Sequence, residues 1–271
     1  MQTVQLDILK QYNITFSHKE NKLWDEDDLD TLDWCIDNGC PWPKFTLKEV
    51  AKTGNLAFLK KCRKRGCPWD NLVCSVAARK NRLDIIKWCR KHGCPWGPQT
   101  CAKAAKHGHF DLLVWCKKNG CLWDESACAN AAKNNHLFIL QWCKKMGCPW
   151  DTNTCDAAAH NGNLETLIWC RHNDCPWDYY TLKLAIQNGH LDIFIWCINN
   201  GLKWNSNLGI DAAANDRLNI LEYVYEHKYE CDWVECYEIA MKYGHKKLAG
   251  FCYSKMNLLR PHSMIFEYLC R

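Results

Sequence analysis

A chain of 271 residues with 48% apolar content is long enough to bury a substantial core. Its formal charge of +5 hides a polarised distribution: residues 1–40 carry a net −6, residues 41–150 a net +15 and residues 151–271 a net −4. No apolar run is long enough to span a membrane, and the N-terminus has no basic stretch leading into an apolar one, so neither a membrane nor a secreted protein is expected. The 21 cysteines then read as thiols in a reducing, cytoplasmic compartment.

Residues 1–27 are irregular and read as an N-terminal cap. The acidic run Asp25–Asp28 precedes Leu29, Leu32 and Trp34, the apolar face of a first helix whose start suits acid. From residue 28 to 253 one unit repeats. Trp42, Trp69, Trp96, Trp123, Trp150, Trp177 and Trp204 follow at intervals of 27. A second column holds Trp34, Trp88, Trp115, Trp142, Trp169 and Trp196, each followed by cysteine. About eight copies result, the last one worn.

The copy Trp96–Leu122 shows the mechanics. Most copies place a capping residue after the first Trp: Asp70, Asp124, Asp151, Asp178 and Asn205. Cys101, Ala104 and Ala105 then form the buried stripe of one helix, and Gly108-His109 breaks it. Phe110, Leu113, Val114 and Trp115 open a second helix, which Gly120 ends in a left-handed conformation. In most copies the stop is Gly-Cys-Pro-Trp, where proline cannot continue the helix. A unit this short cannot bury its apolar face alone, so the copies must stack. The expected fold is an all-α solenoid of about eight helix-turn-helix repeats, with both Trp columns in its core. Residues 254–271 read as a C-terminal capping helix.

Lys103-Ala104-Ala105-Lys106-His107-Gly108-His109-Phe110 and its continuation to Cys116, with Gly120-Cys121, resemble the ankyrin repeat, whose helices read A-A-x-x-G-H-L and then G-A. The likeness extends from Ala51 to about Cys252. This unit is six residues shorter than the usual 33 and lacks the T-P-L-H signature, so the resemblance implies β-hairpin fingers that are shortened or absent. Repeats ending in Gly-Cys-Pro-Trp-Asp look like those multiplied in large DNA viruses of amoebae and in some protists, which implies such a source and, for a virus, a host cytoplasm. The family further implies protein–protein recognition on a concave face built by the first helices.

That face falls on the two residues after the Ala pair: Lys52 and Thr53, Arg79 and Lys80, Lys106 and His107, Lys133 and Asn134, His160 and Asn161, Gln187 and Asn188. The first four pairs make a basic track, for which an acidic protein surface is the expected partner of a monomeric chain. Non-specific nucleic-acid binding is a second reading, because aligned cations release counterions. The second-helix ends Arg63-Lys64, Arg90-Lys91, Lys117-Lys118, Lys144-Lys145 and Arg171-His172 are explained by the helix dipole. The tail Leu259–Leu269 is faintly similar to the start of an F-box, which would make the chain a ubiquitin-ligase adaptor.

No enzyme, cofactor or metal is expected. Phosphate loop, nucleophile elbow and metalloprotease motifs are missing. C-x4-C pairs recur in six copies, from Cys35/Cys40 to Cys170/Cys175, and a third column holds Cys74, Cys101, Cys128 and Cys155, but there is no C-x-x-C. The thiols read as small hydrophobes, with sulfurs of one column too far apart to bridge. His109, His136, His190 and His245 occupy the turn between helices, where inter-repeat hydrogen bonding is expected.

Overall fold

A computed structural model describes residues 46–259, and every regular element among them is an α-helix. The described residues form two compact units, one ending at Trp123 and the other beginning at Asp124. The first holds α1 (Thr46–Thr53), α2 (Leu56–Lys64), α3 (Asn71–Arg79), α4 (Leu83–Lys91), α5 (Pro98–Lys106) and α6 (Phe110–Lys118). The second holds α7 (Glu125–Lys133), α8 (Leu137–Lys145), α9 (Thr152–His160), α10 (Leu164–His172), α11 (Tyr179–Asn188) and α12 (Leu191–Asn199). It continues with α13 (Ser206–Ala214), α14 (Leu218–Glu226), α15 (Trp233–Tyr243) and α16 (Lys246–Leu259). Trp34 and Trp42, the N-terminal cap and all but the first residue of the F-box-like tail lie outside the described residues. The final helix runs without interruption through residues 253 and 254.

Each copy is one helical hairpin with three local devices. First, the capping residue before the odd-numbered helix accepts a backbone N–H of the first turn: Asp70 from Leu72, Asp124 from Ser126, Asp151 from Asn153 and Asp178 from Tyr180. In the copy taken above, Gly97 caps without a side chain, and Pro98 occupies the first turn, where its missing N–H costs nothing. Second, both helices end by the same six-residue closure. His109 N–H donates to the Ala104 carbonyl at 3.0 Å, and Cys121 N–H to the Cys116 carbonyl at 3.0 Å. The left-handed residue this closure requires is Gly108 in one and Gly120 in the other, with φ 76° and 81°. Elsewhere Asn81, Asn135 and Asp216 adopt it with φ of 56–58°, since a short polar side chain tolerates that conformation. Third, the residue before most even-numbered helices reaches back one copy. Nε2 of His109 bonds the Arg79 carbonyl at 3.2 Å, that of His190 the His160 carbonyl at 3.1 Å and that of His245 the Ala214 carbonyl at 3.2 Å. Asn163 and Arg217 do the same at Ala132 and Gln187.

The core is a small-residue layer facing a large one. Odd-numbered helices bury alanine pairs such as Ala77/Ala78 and Ala158/Ala159, which are fully enclosed and let neighbouring odd helices pack closely. Even-numbered helices bury a run such as Ile85, Ile86 and Cys89, or Ile193, Phe194 and Cys197. They approach one another less closely than the odd helices do.

The two tryptophan columns are not core. Every described member is half-buried, while the enclosed positions go to cysteine, alanine and aliphatic residues. Close packing of the alanine-lined odd helices leaves no room for an indole between them, so the rings lie at the edge, where most of the paired ones meet the other column edge-on. Trp69 and Trp88 meet with centroids 5.9 Å apart, Trp150 and Trp169 at 5.8 Å. Five of the stop indoles also meet a cation from the preceding helix: Arg63 over Trp69 at 4.4 Å, Arg90 over Trp96 at 4.5 Å, Lys117 over Trp123 at 4.1 Å, Lys144 over Trp150 at 3.9 Å and Arg171 over Trp177 at 4.7 Å. These stop indoles therefore link consecutive copies from their edge. The cations engaged are the first members of the five basic pairs that end the even-numbered helices.

Candidate functional site

The twelve predicted binding residues all fall at the C-terminal ends of odd-numbered helices or in the turn that follows. They divide between the units, Lys52 to His107 in the first and Lys133 to Asn188 in the second. In the first unit Lys52, Arg79, Lys80 and His107 are exposed and Lys106 is half-buried. Lys52 faces Glu49 at 3.5 Å, and Glu49 is the one acid within α1, α3 and α5. Thr53 is turned inward, its hydroxyl donating to the Val50 carbonyl at 2.8 Å. The ring of His107 lies 6.1 Å from that of His109. Partial burial, then the charges of Arg79, His109, Lys106 and Lys103, hold it below the ordinary imidazole value.

The asparagines of the prediction serve their own helices. The amide of Asn134 donates to the Asn130 carbonyl, that of Asn161 to Ala157 and that of Asn188 to Leu184, at 2.9, 3.0 and 2.9 Å. Asn119, Asn173 and Asn200 repeat the motif at the ends of even-numbered helices, at 2.8–2.9 Å from Trp115, Trp169 and Trp196. This is C-terminal capping, satisfying a carbonyl left open by the end of the helix. Gln187 donates to Asp211 at 3.0 Å, and Asp211 also pairs with Lys183 at 3.2 Å.

Of the second-unit residues, Lys133 and His160 line a groove across α7, α9 and α11. Its other walls come from residues the spacing of the Ala pairs did not indicate: Glu125, Ser126, Asn130, Asn153 and Asp156, one or two turns earlier on the same helices. Asp156 accepts from the Thr181 hydroxyl at 2.6 Å, and burial raises its carboxyl above the usual range despite that bond. The odd-helix row thus changes character along the chain, from basic in the first unit to mixed in the second.

The cysteine columns converge. The six-residue closure brings each C-x4-C pair together, and the hairpin lays the odd-helix cysteine against it. The sulfurs of Cys74, Cys89 and Cys94 all lie within 4.8 Å of one another, as do those of Cys155, Cys170 and Cys175, and all six residues are fully enclosed. The expected separation applies to one column in successive copies, whereas here three columns of a single copy meet. The stop cysteine also donates its thiol to the carbonyl of the residue capping the odd helix, Cys94 to Asp70 and Cys175 to Asp151 at 3.5 Å, Cys148 to Asp124 at 3.4 Å. A hydrogen-bonding role thereby accompanies small apolar bulk.

No helix among the described residues is long and apolar enough to cross a membrane. Comparison with protein-family models and with curated proteins finds no match.

Proposed function

We propose that the chain is a non-catalytic recognition module, an abbreviated ankyrin-like array that binds an acidic protein segment along its odd-numbered helices. The observation that carries this reading is the face of the first unit, where Arg79, Lys80, Lys103 and Lys106 have Glu49 as the one acid on the same helices, and Glu49 is already matched by Lys52. Uncompensated like charge on adjacent helix ends repels itself unless an anionic partner neutralises it. Protein rather than nucleic acid is favoured because the indoles of the first unit, which carries the basic face, are engaged by neighbouring rings and cations rather than open to bases.

The test is fluorescence anisotropy with a fluorescein-labelled glutamate-rich peptide and a single-stranded oligonucleotide of equal charge. The wild-type chain binds the peptide, and the Arg79→Glu, Lys80→Glu, Lys106→Glu variant binds it about tenfold or more weakly. Tighter binding of the oligonucleotide with a steep salt slope selects the nucleic-acid reading instead. Peptide affinity unchanged by charge reversal sinks the placement of the site.

A further inference from the structure

Three buried thiols converge in two separate copies, and apolar packing alone does not account for it. In the odd-helix column Leu47 and Leu182 stand where Cys74 and Cys155 do, and all of them are enclosed, so a hydrocarbon fills that position equally well. Beside Leu182 the third position is Leu202, which leaves Cys197 alone, whereas beside Leu47 the pair Cys62 and Cys67 is kept. We propose that Cys74, Cys89 and Cys94, and likewise Cys155, Cys170 and Cys175, are trigonal thiolate sites for a soft monovalent cation, copper(I).

The geometry suits three-fold coordination. With a metal–sulfur bond near 2.3 Å, a planar trigonal site has sulfurs about 4.0 Å apart. The Cys74 and Cys94 sulfurs stand at 3.9 Å, and all pairs of either triad fall within 4.8 Å. Among the described residues no histidine or carboxylate joins either group, and full enclosure keeps water from completing a tetrahedron, which zinc ordinarily demands. Thiolate sulfur is the ligand that soft copper(I) prefers.

Charge points the same way. Copper(I) bound by two thiolates and one thiol leaves a net −1, with both protons released to solvent. Arg90 and Arg171, whose guanidinium groups donate to the Cys94 and Cys175 carbonyls, offset it. Access is short, because exposed Gly93 and Pro95 flank Cys94, and exposed Asp174 and Pro176 flank Cys175.

The test is anaerobic copper(I) titration of the full chain against a chromophoric copper(I) chelator, with X-ray absorption to count sulfur neighbours. The wild type is expected to hold two equivalents with three sulfurs each. The Cys74→Ala, Cys155→Ala variant loses both, while Cys197→Ala, which removes a buried thiol outside any triad, loses neither. Unchanged stoichiometry in the double variant, two-sulfur coordination, or preferential uptake of zinc(II) with four sulfurs overturns the proposal. Should the double variant fail to fold, alkylation mapping of the wild type in mild denaturant decides. Copper(I) must protect the six triad cysteines and not Cys197.

Discussion

His107 shows how one side chain can serve packing and report on its surroundings. It occupies the capping column that holds Asn134, Asn161 and Asn188 in later copies, yet its ring sits among Arg79, Lys103 and Lys106. Its folded value lies below the ordinary 6.5, so the unfolded chain binds the proton more tightly. Its contribution to stability is therefore present above pH 6.5 and is lost as pH falls through that value toward the depressed folded one. The His107→Asn variant supplies the amide that caps the other copies and removes this proton. Urea midpoints at about pH 5 and about pH 8 should differ less in the variant than in the wild type, with the gain on the acid side. A larger difference in the variant would assign the pH dependence to another group. The asparagine column also has a reading at this scale: an amide four residues beyond a helical carbonyl can cap that helix, as those of Asn134, Asn161 and Asn188 do.

At the scale of the element, each hairpin is closed by side chains that act across its loop. Arg171 both donates to the Cys175 carbonyl and covers the Trp177 ring, so it ties the end of α10 to the start of the next copy. Arg171→Ala should cost about 1–2 kcal/mol in urea unfolding, combining a charged hydrogen bond with a cation–π contact. Lys118→Ala, at an exposed position of the corresponding basic pair, should stay within about 0.5 kcal/mol. Equal effects would mean that the basic pairs act only through the helix dipole. The dipole argument explains why cations gather at these ends, but not why the first of each pair stands where it covers an indole. That depends on a loop bending back, which residue spacing does not convey.

At the scale of the whole molecule, contacts run between neighbouring hairpins, so stability is a sum of local units and their interfaces. Leu167, fully enclosed in α10, is a suitable probe. Leu167→Ala should cost about 2–5 kcal/mol. Hydrogen exchange should accelerate in α9–α12 and leave α3 and α4 of the first unit at their wild-type rates. Uniform acceleration along the chain would mean a single cooperative unit instead. The period, the helix ends and the alanine stripes were all legible in the residues, because caps, left-handed glycines and i, i+3, i+4 spacing are short-range properties. The tertiary structure alone decided two things: that the tryptophans lie at the edge of the core and that three cysteine columns meet. Both depend on how helices fold against each other, which brings residues 20 positions apart, such as Cys74 and Cys94, to within 3.9 Å. Periodicity identifies the column in which a residue stands. The packing of helix against helix determines whether that column is buried or joined to another.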